Sequence, residues 1–125
     1  MITIFGKPCS KKTFMDEFNK SPYWDNIGGR GTSEIVKISD AHIWYKRGNS
    51  NMRISIELVN KIYQYIVEHN LFCKKLVTND IVDIKNKVDT NYKGWNDCDA
   101  TFIMMLLRFV LGVSIHCGKP CYIIF

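Results

Sequence analysis

The sequence has no apolar run near the ~20 residues a bilayer requires; its most apolar stretch, 100–111, is interrupted by Arg108. Its opening residues lack the charged leader and long apolar segment of a secretory signal, so an untargeted, cytoplasmic chain without a membrane partner is expected. The five cysteines are odd in number and irregular in spacing, which argues against a disulfide framework and for buried thiols in a reducing compartment. No low-complexity tract or Pro/Ser-rich linker marks a boundary. The only echo, GKPC at 6–9 and 118–121, is too short for a repeat. Gly28-Gly29-Arg30-Gly31 lacks the strand-to-helix setting of a phosphate-binding loop.

Carboxylates are the scarcer charge, 12 Asp and Glu against 17 Lys and Arg, giving a formal net charge of +5. The excess is uneven. Residues 1–62 hold ten basic and six acidic residues (+4), and the remainder seven and six (+1). Such a field favours an anionic partner, nucleic acid first.

What is present suffices for one core. Hydrophobic residues make up 46% of 125 residues, the usual size of a single domain, so 1–125 is read as one folding unit. Residues 2–5 suit a short strand. Ser10 suits an N-cap for a helix over 11–18, and 19–33 reads as a loop carrying Pro22 and Gly28, Gly29 and Gly31. The clearest local pattern follows. Residues 34–38 are β-prone, Ile43 and Tyr45 alternate with His42, Trp44 and Lys46, and Met52, Ile54 and Ile56 alternate with Arg53 and Ser55. A turn at 48–51 joins the last two, so a three-stranded antiparallel meander is expected.

Leu58, Val59, Ile62, Tyr63, Ile66 and Val67 repeat at the spacing of one buried helical face, which predicts a helix over 57–69. A short strand over 72–77, a helical turn over 79–84 capped by Thr78, and an irregular polar segment over 85–96 come next. Asp97 is the expected cap of a helix over 98–111, apolar almost all round and therefore central. Two strands around Gly118-Lys119-Pro120 close the chain as a C-terminal β-hairpin. The fold class expected is α+β: an antiparallel sheet with a central meander packed on the two main helices.

The residues suggest four chemistries. From Leu58 onward the element order is that of a winged helix, but 98–111 offers base edges only Asp99, Thr101 and Arg108, so a core helix is the better reading. On the meander, Lys37, Lys46, Arg47 and Arg53 would line a ribbon whose outer face also carries His42 and Trp44; cations neutralise phosphates and aromatics stack on bases. Cys98 at a helix start with His116 on a later strand is the arrangement of a small cysteine hydrolase, but no orienting third residue follows. His116, Cys117 and Cys121, with Cys98 or Cys9, lack the second close pair of a structural zinc site. No metal, cofactor or catalytic residue is therefore assigned.

The run Ile43-Trp-Tyr-Lys-Arg-Gly-Asn-Ser, then Ile54-Ser-Ile-Glu-Leu-Val, Val77-Thr-Asn-Asp-Ile and Cys98-Asp-Ala-Thr-Phe-Ile-Met-Met-Leu-Leu resembles an uncharacterised bacterial domain over most of 35–112. Its order is strand, RG turn, strand, helix, VTxxD and a CNxTF helix. The resemblance implies company with DNA-restriction and other defence proteins. The residues it matches are structural: the Gly48 turn, the Thr78 cap and the Phe102 core. Together these readings point to a non-enzymatic binding module for nucleic acid or a nucleic-acid-handling complex. A phage or mobile-element inhibitor of a host defence nuclease is the alternative.

Overall fold

A computed structural model describes residues 2–5, 7–9, 23–25, 32–71, 76–111, 114–116 and 122–124. The expected helix over 11–18 lies outside them. The fold is α+β, as the patterning requires.

Strands β1 (Ile2–Ile4) and β2 (Lys7–Cys9) form a small antiparallel pair. The Asn60 side chain ties this pair down: its Oδ1 accepts from Phe5 N (2.9 Å) and its Nδ2 donates to Thr3 O (2.6 Å). The main sheet has four strands in sequential order: β3 (Tyr23–Asp25), β4 (Thr32–Ile38), β5 (His42–Arg47) and β6 (Ser50–Ser55). The meander is therefore one strand wider than its alternation foretells. β3 falls within the segment read as a loop, because three residues are too few to display a period of two.

Ile43, Tyr45 and Ile54 are buried, while His42, Trp44 and Lys46 are half-exposed on the opposite face. Gly48 takes φ +59 at the first central position of a two-residue turn, where its left-handed backbone matches the twist of the flanking strands. In β4 the register shifts between Ile35 and Lys37, leaving Val36 as an extra, 52% exposed residue.

Helix α1 (Ile56–Glu68) starts directly from β6. Ser55 Oγ accepts from Leu58 N (3.3 Å), and Ile56, Leu58, Val59, Ile62 and Ile66 are buried. Helix α2 (Thr78–Val88) runs one turn beyond the expected end at Ile84, since Ile81 and Ile84 bury while Asp83, Asn86 and Lys87 face water. Thr78 is its first residue rather than its cap. Val77 holds the cap position, and its N–H donates to Asp80 Oδ2 (2.9 Å).

Helix α3 (Asp97–Leu111) supplies the centre of the core, with Ala100 and Phe102 through Leu107 all buried. Its cap is Asn96, one residue before the Asp97 expected. Asn96 Oδ1 accepts from Cys98 N (3.0 Å) while Asp99 Oδ2 accepts from Asn96 N (2.9 Å), a reciprocal pair that satisfies two otherwise orphaned donors. The C-terminal hairpin, β8 (Ser114–His116) and β9 (Tyr122–Ile124), is joined through β9 by β7 (Leu76–Val77), giving the order β7-β9-β8. Among the described residues no helix is long and apolar enough to cross a membrane.

Candidate functional site on the outer face of the meander

The register of the sheet assembles a row that the linear sequence scatters. Lys37 on β4, Trp44 on β5 and Arg53 on β6 are direct cross-strand partners, so one aromatic ring is flanked by two cations. Lys37 Nζ lies 5.1 Å from the centre of the Trp44 ring. His42, two residues along β5, tilts against the same ring at 5.5 Å. Burial, and after it the charge of Arg53, hold the His42 imidazole below its ordinary pKa, so it is neutral at neutral pH. Lys46 continues this face and stands opposite Asn51 on β6 and Glu34 on β4.

Five of the six expected residues, Lys37, His42, Trp44, Lys46 and Arg53, thus share one face. Arg47 does not. By alternation it falls on the side of Ile43 and Tyr45, where its charge lowers the Tyr45 pKa against the larger upward pushes there. Its charge type places it with the ribbon cations in the sequence, but it follows Lys46 directly, and neighbours in a strand point to opposite faces.

On that inner side, Tyr45 is buried, stacked on Phe102 (ring centres 3.8 Å apart, 5° between planes), and its hydroxyl donates to Asp99 Oδ1 at 2.5 Å. Asp99 is 0% exposed. Burial raises its pKa, opposed by the bonds from Tyr45 and from Asn96 N. Burial foremost, then the Asp99 carboxylate, raises the Tyr45 phenol as well. Both oxygens of Asp99 are engaged in holding β5 to the start of α3, which is a structural task.

Cys98 is a free, half-buried thiol in the first turn of α3. His116 is on β8, and its side chain lies outside the described residues, as do Cys117 and Cys121. Among the described residues no group of three or more His, Cys, Asp or Glu could hold a metal ion.

The residues that sequence reading missed lie in the loop before α3. Tyr92 Oη accepts from Ser55 N (3.2 Å), which brings Lys93, Gly94 and Asn96 beside Asn51 and Arg53. No periodic signal marks this approach, because it joins an edge strand to an irregular loop about forty positions away in sequence. The chain matches no family model, no curated protein and no solved structure.

Proposed function

We propose that this protein is a non-enzymatic binding module whose outer meander face contacts nucleic acid, single strands above all. The observation that carries the reading is the cross-strand row Lys37–Trp44–Arg53. A sheet face with an aromatic ring between cations offers a stacking platform for a base and counter-charges for the phosphates on either side. Lys37 already covers one side of the ring, so a base must displace it. An exposed cation–π contact is worth roughly 0.5–1 kcal/mol, whereas stacking a base contributes roughly 1–3 kcal/mol. The exchange favours the base, and the displaced ammonium is left beside a phosphate. The resemblance to a domain that accompanies restriction and defence proteins agrees with such a role.

The test is fluorescence titration of the full chain with oligothymidylate. Trp44 emission is quenched on binding, and Trp44→Ala weakens binding by about 5- to 100-fold, the range one stacked base supplies. With Lys37, Lys46 and Arg53 each meeting a phosphate, log K falls with log salt at a slope of about −2. Charge reversal at these three residues abolishes binding. A chain that ignores DNA and RNA at low salt, yet is captured by a nuclease from a defence system, sinks this reading in favour of a phage-type inhibitor.

A further inference from the structure

We propose that the pocket between the free edge of β6 and the loop before α3 binds a phosphate group. This deepens the nucleic-acid reading and rests on it for the natural source of that phosphate. The pocket has a volume of about 230 Å³, and its walls come from two separate parts of the chain. Arg53 and Asn51 stand on the sheet side, Lys93 and Asn96 on the loop side. Among the described residues no carboxylate lines it. Neither Arg53 nor Lys93 has an ion-pair partner among the described residues. Asp99, just beyond Asn96, is sealed in the core with both oxygens bonded.

The backbone adds donors. The Ser55 N–H points out of the sheet edge to Tyr92, so by the alternation of an antiparallel pair the N–H groups of Arg53 and Asn51 point the same way. Tyr92 uses its oxygen as the acceptor for Ser55, which leaves the hydroxyl hydrogen to donate. Two cations, two carboxamides, a phenol and edge amides therefore line a space with ample room for a tetrahedral oxyanion.

The loop is held before any ligand arrives. Tyr92 is fixed to Ser55, Asn96 to the first turn of α3, and Trp95 beneath Lys85 Nζ at 5.3 Å and edge-on to Tyr92 at 6.5 Å. Gly94 takes φ +90, a backbone that side chains other than glycine adopt only with strain. Lys93 is thus presented by a braced loop, and little ordering cost attaches to binding.

A neighbouring cleft sharpens the choice of ligand. It is larger, about 910 Å³, and shares His42 and Tyr92 as a dividing wall, but Asp40, Glu57 and Asp89 line it against one cation, Lys61, which pairs with Glu57 at 3.4 Å. An anion is repelled from that side and drawn to the Arg53–Lys93 side. Arg53 belongs both to the pocket and to the Trp44 row, so a strand whose base stacks on Trp44 has a phosphate within reach of the pocket.

The experiment follows amide shifts of the full chain in two-dimensional NMR, first with inorganic phosphate against chloride at matched ionic strength, then with oligothymidylate. Saturable shifts are expected at Asn51, Arg53, Lys93 and Gly94 with phosphate, weakened at least about tenfold in Arg53→Gln/Lys93→Gln. Lys93→Gln alone leaves the outer face untouched; it should weaken oligothymidylate about three- to tenfold and reduce the salt slope by about 0.7, with Trp44 quenching at saturation unchanged. Saturable phosphate shifts in a chain that ignores oligothymidylate would uphold the pocket for free phosphate and overturn the reading of the outer face. Absence of saturable shifts, with Lys93→Gln binding oligothymidylate normally, would overturn the pocket while leaving the outer face standing.

Discussion

Strand β5 presents two aromatic–charge assemblies on opposite faces, one residue apart, and they differ in nearly every physical respect. Tyr45 on the inner face stacks on Phe102, bonds Asp99 and is sealed from water. Trp44 on the outer face meets Lys37 and His42, stays half-exposed, and lies beside Arg53, which has no ion-pair partner among the described residues. In the first, every polar atom has a partner inside the protein, so changing one leaves another orphaned in a low-dielectric setting. In the second, water and salt stand in for missing partners, so the cations remain available to something else. Stability belongs to one face and the proposed binding to the other.

The largest expected effect tests the inner assembly. Phe102→Ala removes the ring beneath Tyr45 in the centre of the core and should cost about 3–5 kcal/mol, measured by urea unfolding. A cost below about 1 kcal/mol would mean that α3 does not fill the core as described. Next comes Tyr45→Phe, which keeps the stack but removes the hydroxyl from Asp99, at a cost of about 1–3 kcal/mol. Its pH dependence has a definite sign. The folded-state pKa of Asp99 lies above the ordinary 3.8, so the unfolded chain loses this proton first as pH rises. The stability tied to this group is whole below 3.8 and is lost as pH climbs through the raised value. The Tyr45 bond favours the ionised form, so its removal raises the Asp99 pKa further, and Tyr45→Phe should be more destabilising at neutral than at acid pH. Equal costs at both would show that Asp99 does not titrate with folding.

The smallest effect is the outer counterpart. Trp44→Ala should change stability by no more than about 1 kcal/mol, although it removes a larger side chain than Tyr45→Phe does. A loss as large as that of Phe102→Ala would erase the contrast between the faces.

The meander, α1 and α3 are legible in the sequence because their apolar residues keep a period: two in β5 and β6, and near 3.6 in α1. The uniform apolarity of α3 marks its central position before any coordinate is known. Other features escape because they depend on where the chain returns. The Val77 and Asn96 caps displace Thr78 and Asp97 because Asp80 and Asp99 reach back to them, and several residues nearby could equally have been chosen by type. β3 is too short to show a pattern, and β2 is visible only through its pairing with β1. For the outer face, residue types locate Lys37, Trp44 and Arg53, yet only the register makes them neighbours, and alternation removes Arg47. Lys93 carries no local sign at all, since its relevance comes from Tyr92 meeting Ser55 across the fold.

The odd residue in β4 has a consequence of parity. Ile35 and Ile38 are three positions apart, an interval that in an unbroken strand sends one inward and the other outward. By absorbing one position, Val36 lets both reach the interior and turns Lys37 toward Trp44. Paired without the bulge, the same residues would leave one of the two isoleucines in water, whereas a chain lacking Val36 would return to plain alternation, Ile35 and Ile38 inward and Lys37 outward. What occupies position 36 matters far less than that the pairing skips it.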